Sequence, residues 1–166
     1  MKLYIIGFMG SGKTYLGKLL GLKLNEAFFD LDREIERIQH QPIKTIFKEK
    51  GESYFRNLES ELLLNLGKQG VIATGGGVVE RDKNRTYLKG KDTITVWLNT
   101  EWSQILEHLK RSNERPLYNN SNAKEIYDLW KRRIRLYKEC ADIVINNPDI
   151  ETLISSINIY TKLYSK

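Results

Sequence analysis

One stretch, Gly7-Phe8-Met9-Gly10-Ser11-Gly12-Lys13-Thr14, constrains the fold more than any other. It fits G-x-x-x-x-G-K-[ST], a loop whose backbone N–H groups close around phosphate oxygens. Lys2-Leu3-Tyr4-Ile5-Ile6 precedes it and reads as a short buried strand. The following run, Tyr15-Leu16-Gly17-Lys18-Leu19-Leu20, repeats apolar residues at helical spacing. Strand, glycine loop and helix in that order distinguish the motif from a chance glycine-rich turn. The helix N-terminus adds partial positive charge to the cradle. Lys13 then reaches the β- and γ-phosphates of a nucleoside triphosphate, and the Thr14 hydroxyl holds Mg²⁺. Gly10, Ser11, Gly12, Lys13, Thr14 and Tyr15 are the candidate nucleotide contacts. The loop does not say what receives the phosphate.

A chain of 166 residues is read as one domain, 1–166, long enough to bury a core. Net charge is +6, which suits two anionic ligands as well as it suits nucleic acid. The densest basic cluster, Lys131-Arg132-Arg133 with Arg135, comes with no stacking aromatics and no nucleic-acid motif. No nucleic-acid partner is expected. One cysteine, Cys140, excludes an internal disulfide and reads as a small core residue. No leader peptide or membrane-spanning run stands out, so a cytoplasmic protein without membrane contact is expected.

Strands are predicted near 2–7, 27–31, 70–74, 93–98 and 142–146. Helices are predicted near 13–24, 33–40, 43–50, 52–68, 80–89, 101–111, 123–139 and 150–163. Such alternation implies an α/β fold with a parallel sheet covered on both faces, and ligands at the carboxyl ends of the strands.

Asp30-Leu31-Asp32 ends the second predicted strand. One carboxylate could hold Mg²⁺ through water while the other orients or deprotonates an attacking hydroxyl. Acids favoured at a helix N-terminus are the alternative. The strands Val71–Thr74 and Ile94–Leu98 lack a terminal acid, which leaves Asp30 as the available metal carboxylate. On a helical wheel Phe55, Leu58, Leu62, Leu63 and Leu66 form one arc, with Glu59 inside it and Arg56 at its edge. A buried pair is weak evidence for stability, so Arg56 reads as a cation held by Glu59 and aimed at an anion; a surface pair is the alternative. Thr74-Gly75-Gly76-Gly77 discards side chains where backbone approaches a ligand, or else is a flexible turn. Lys110 to Asn120 reads as a lid of about 111–122, in which Arg115 would stabilise transferring charge. Arg133 projects into the apolar arc of Ile126, Leu129, Trp130, Ile134, Leu136 and Tyr137, so it must meet an anion in the fold or at its cleft.

Together these motifs resemble shikimate kinases, in the nucleoside monophosphate kinase-like group of P-loop kinases. The resemblance rests on the loop, Asp30-Leu31-Asp32, Gly51-Glu52 with Phe55-Arg56 and Glu59, Gly75-Gly76-Gly77, Arg115-Pro116-Leu117, and Arg133 before Leu136-Tyr137. It implies a three-layer P-loop fold with a five-stranded parallel sheet and a lid, and an acceptor-binding part at about 32–60. It implies ATP- and Mg²⁺-dependent phosphorylation of the shikimate 3-hydroxyl by a monomer. Asp32 would contact the reacting hydroxyl, Arg56 and Arg133 would clamp the shikimate carboxylate, and the Gly76 backbone would touch the substrate. Arg115 would close onto ATP, Asp30 would sit in the Mg²⁺ shell, and Arg111, or Lys110 in its place, would stack on adenine. Another small-molecule P-loop kinase, or a silent ATP-binding regulatory domain, are the rival readings.

Overall fold

The computed structural model describes residues 2–67, 69–111 and 123–164. Five parallel strands form one sheet in the order β2-β3-β1-β4-β5. They are β1 (Lys2–Ile6), β2 (Phe28–Asp30), β3 (Gly70–Ala73), β4 (Ile94–Asn99) and β5 (Ile143–Asn146). β1 lies between β3 and β4, with Ile5 opposite Ala73 on one side and Val96 on the other. Leu3 to Ile6 are buried without alternation because both faces of the sheet are covered.

The pleat sorts these residues into two cores. Leu3 and Ile5 pack with Leu16 and Leu20 of α1 (Lys13–Leu24) and with Leu153 and Ile157 of α7 (Ile150–Tyr164). Tyr4 and Ile6 face the other way, onto Leu63 of α3 (Ile43–Asn65), Leu88 of α4 (Asp82–Leu88), Ile105 of α5 (Trp102–Lys110) and Ile126 of α6 (Ala123–Cys140). A third cluster, Ile35, Ile46 and Phe55, joins α2 (Leu31–Gln39) to the two halves of α3. This is the three-layer arrangement expected from the alternating pattern. Cys140 is buried in the second core at the end of α6. Among the described residues, no helix is long and apolar enough to cross a membrane.

Three element boundaries differ from those expected. The helix predicted from 33 begins at Leu31, because the Asp30 carboxylate caps it by accepting from the N–H groups of Asp32 and Arg33. Asp32 therefore lies in the first turn of α2 and not at the end of β2. The helices expected at 43–50 and 52–68 run as α3, broken at Gly51, whose φ of 80° no helical residue adopts; α3 stops at Asn65. The stretch expected as one helix from 80 is a 3₁₀ turn at Val78–Glu80 followed by α4. The predicted lid at 111–122, including Arg115, lies outside the described residues apart from Arg111.

Candidate active site

The carboxyl ends of β1, β2 and β3 open onto a cavity of ≈ 700 Å³. Its floor is the phosphate loop, where Gly10 and Gly12 take φ of 84° and 86° and Gly12 caps α1. The Lys13 ammonium, buried, donates to the carbonyls of Gly7 and Phe8 at 2.9 and 2.8 Å. His108 on α5 lies 2.7 Å from the Gly10 carbonyl through Nδ1 and ties the loop to the neighbouring helix. Tyr15, largely exposed, lines a smaller recess of ≈ 190 Å³ with Gly10, Gly12, Lys13 and Thr14. Arg111 sits at the exposed end of α5, paired with Glu107, and lines neither cavity.

Thr14 and Asp30 meet directly: the hydroxyl donates to Asp30 Oδ2 at 2.7 Å. Its proton is thereby committed, and its lone pairs stay available to a cation. Hydroxyl and carboxylate oxygens are the donors that suit a hard ion such as Mg²⁺, which keeps several waters and takes few protein ligands. Among the described residues no cluster of three or more acidic, histidine or cysteine groups makes a self-sufficient metal cage. Asp30 thus caps α2 with one oxygen and receives Thr14 with the other.

Asp32, Arg56, Glu59, the three glycines and Arg133 all line the larger cavity with Lys13 and Thr14. Asp32 Oδ1 is shielded from solvent and has no hydrogen-bond partner among the described residues. Burial, followed by the nearby charges of Glu59 and Asp30, pushes its carboxyl up to about 7, against the pull of Lys13 and Arg56. A carboxylate poised at neutral pH and aimed into a cavity is chemically equipped to exchange a proton.

Arg56 and Glu59 are both buried, with Nη1 2.8 Å from Oε2. Glu52 accepts from Nε and Nη2 at 3.3 and 3.1 Å. These bonds use three of the five guanidinium protons. Burial, with a smaller push from the Glu52 charge, raises Glu59, and Arg56 and then Arg133 only partly reverse it. The expected surface-edge alternative does not hold: the pair is inside.

The triple glycine serves the protein's own side chains as well as the cavity. A Cβ on Gly75 would press on Glu59 Oε1 and Asp32 Oδ1, and one on Gly77 would overlap the Arg56 guanidinium. Gly77→Ala therefore forces Arg56 out of place. The expected outcome is an acceptor KM raised ~10-fold or more with the KM for ATP little changed, read by steady-state kinetics. Equal KM values for the variant and the parent would contradict it.

Arg133 is 2% exposed, and its Nε donates to Glu80 Oε1 at 2.6 Å. Its guanidinium also lies over the Phe8 ring, 5.8 Å from the centroid. Lys131, Arg132 and Arg135 are exposed, though Arg132 also reaches Glu80. Sequence reasoning required an anion for Arg133 but did not find Glu80. Nor did it find the apolar wall, where Phe47 packs on Phe55 at 4.8 Å and Ile43 lies beside them. Periodicity places these residues in a core, and only the break at Gly51 turns the two halves of α3 towards a shared cavity.

Comparison with known proteins agrees with this geometry. The shikimate kinase family model matches residues 9–159. The chain belongs to the shikimate kinase family. A shikimate kinase of Dictyoglomus turgidum is 43% identical over 159 residues, 91% of each chain. That of Aquifex aeolicus is 40% identical over 147 residues, 87% of this chain and 86% of its own. Among solved structures, a family member from Acinetobacter baumannii in complex with shikimate superposes with a TM-score of 0.86 at 34% identity, covering 99% of this chain and 93% of that one. The Aquifex aeolicus crystal structure gives 0.83 at 35% identity, covering 97% and 98%.

Proposed function

We propose that the chain transfers the γ-phosphoryl group of ATP to the 3-hydroxyl of shikimate, yielding shikimate 3-phosphate and ADP in the pathway to chorismate and the aromatic amino acids. The observation that carries this reading, for a member of this family, is that the phosphate loop, a carboxyl poised near neutrality and two buried arginines line one cavity.

The loop from Gly10 to Thr14 cradles the phosphates by its N–H groups, with Tyr15 at its edge and Lys13 turning from its backbone carbonyls to the β- and γ-oxygens. Thr14 directly, and Asp30 through water, would hold Mg²⁺. When bound, Mg²⁺ supplies charge neutralisation on the β- and γ-phosphates. Arg56 and Arg133 take the acceptor carboxylate, for which a planar fork is the matching donor. The backbone of Gly75, Gly76 and Gly77 lets the ring approach closely. Asp32 accepts the hydroxyl proton as the new oxygen–phosphorus bond forms and the bond to the β,γ-bridging oxygen breaks. Arg115, from a lid of about 111–122, closes onto the transferring group, and Arg111 stacks on adenine. The acceptor part is 32–60 of a single domain, and the working protein is a cytoplasmic monomer that takes neither nucleic acid nor membrane as a partner.

A coupled ADP-release assay tests the reaction. Shikimate is expected to drive turnover, while gluconate and nucleoside monophosphates leave the background unchanged. Folded, ATP-binding protein without shikimate-dependent turnover would overturn the proposal and favour a silent ATP-binding domain.

A further inference from the structure

The segment from the triple glycine to the 3₁₀ turn is attached to α6 at two points. Tyr137, buried, donates its hydroxyl to the Gly76 carbonyl. Arg133, one helical turn earlier and on the same face, donates through Nε to Glu80. Arg132 reaches the same Glu80 oxygen at 2.9 Å from the exposed side. Burial works against the Glu80 charge, but the bonds and charges of Arg133 and Arg132 outweigh it and hold its carboxyl below the usual range. Glu80 does not line the cavity, whereas Arg133 does. The guanidinium is therefore held at Nε by a residue outside the cavity, and it is also hydrogen-bonded to the Tyr137 side chain.

We propose that Glu80 is a positioning residue: it fixes the plane of the Arg133 guanidinium so that its terminal edge meets the acceptor carboxylate, with Tyr137 holding the adjoining glycine backbone in register. The inference rests on the proposed role of Arg133 in binding that carboxylate. Two opposed effects are at stake. Glu80 carries a negative charge close to the point where an anion must bind, so Coulomb repulsion alone would have its removal tighten binding. Its removal also frees a long side chain to leave the bound rotamer, and loses the orientation that a bidentate contact requires. Glu80 takes Nε and does not itself line the cavity, so the loss of orientation should outweigh the loss of repulsion.

The test measures KM and kcat for Glu80→Ala, Glu80→Gln and Tyr137→Phe in the full chain, with thermal unfolding to verify folding. Each is measured with shikimate and with the same ring carrying hydrogen in place of the carboxylate. Glu80→Ala is expected to raise the shikimate KM ~10-fold with the ATP KM within about twofold. Glu80→Gln, which keeps an acceptor oxygen for Nε, should recover most of that loss. Tyr137→Phe should raise the shikimate KM ~3-fold. The penalty of Glu80→Ala should vanish with the carboxyl-free ring, which a general structural defect would not allow. A shikimate KM that stays level or falls in Glu80→Ala, or a penalty of equal size on both acceptors, would overturn the inference. Arg133→Ala separates the two layers: if it leaves the shikimate KM unchanged, the reading of the clamp fails; if it raises it while Glu80→Ala does not, only the positioning role fails.

Discussion

Asp32→Asn is expected to lose turnover by ~10³-fold while keeping ATP and shikimate binding. Asn has the shape of Asp and can still orient a hydroxyl, but it cannot take the proton. The wild-type carboxyl is poised at about 7 because burial and the Glu59 and Asp30 charges oppose its ionisation. In the free enzyme kcat/KM should therefore fall as pH drops below about 7, in inverse proportion to the proton concentration. Retained turnover in the Asn variant would remove Asp32 from the chemistry. A wild-type profile flat between about pH 6 and 8 would remove its role as proton acceptor.

The same substitution should act on stability with the opposite sign. A carboxyl raised in the folded state binds its proton more tightly there than in the unfolded chain. Folding is thus undisturbed below the unfolded value near 4, and stability declines as pH rises towards about 7, where the buried carboxylate must ionise. Asn carries no such penalty. Its melting temperature should exceed that of the parent by ~3 °C or more at pH 8 and match it near pH 4. A variant both more stable and less active would show that the strain at Asp32 belongs to its function.

Legibility from sequence followed the range of the interaction. The phosphate loop and the break at Gly51 are set by local geometry, and both could be read directly. Arg133 was legible as an anomaly, since a guanidinium in an apolar arc needs an anion whatever the fold. Glu80, the partner, was not legible, because it sits 53 residues away and only the packing of α6 on the 3₁₀ turn brings them together. The early start of α2 was missed because Asp30 carries two duties: one oxygen caps the helix and the other accepts from Thr14.

Arg56→Ala should be the most damaging substitution in the acceptor pocket, and for two separable reasons. The first is binding. A desolvated charge pair lost from the bound complex costs ~2–4 kcal/mol, which raises the shikimate KM by ~10²-fold. The second is folding. Glu59 has a side chain only 1% exposed, and Arg56, more than Arg133, is the cation that opposes its burial penalty. Leaving that carboxylate buried and unpaired costs ~3–5 kcal/mol, so Arg56→Ala should melt far below the parent. The double variant Arg56→Ala with Glu59→Gln divides the two effects, because the amide carries no charge to strand. It should regain most of the lost melting temperature while its shikimate KM stays high. Arg56→Lys should behave likewise, restoring a charge beside Glu59 but not the planar fork that reaches Glu52 and Glu59 together. If the double variant instead recovered the parental KM, Arg56 would be a structural cation for Glu59, and the acceptor carboxylate would rest on Arg133 alone.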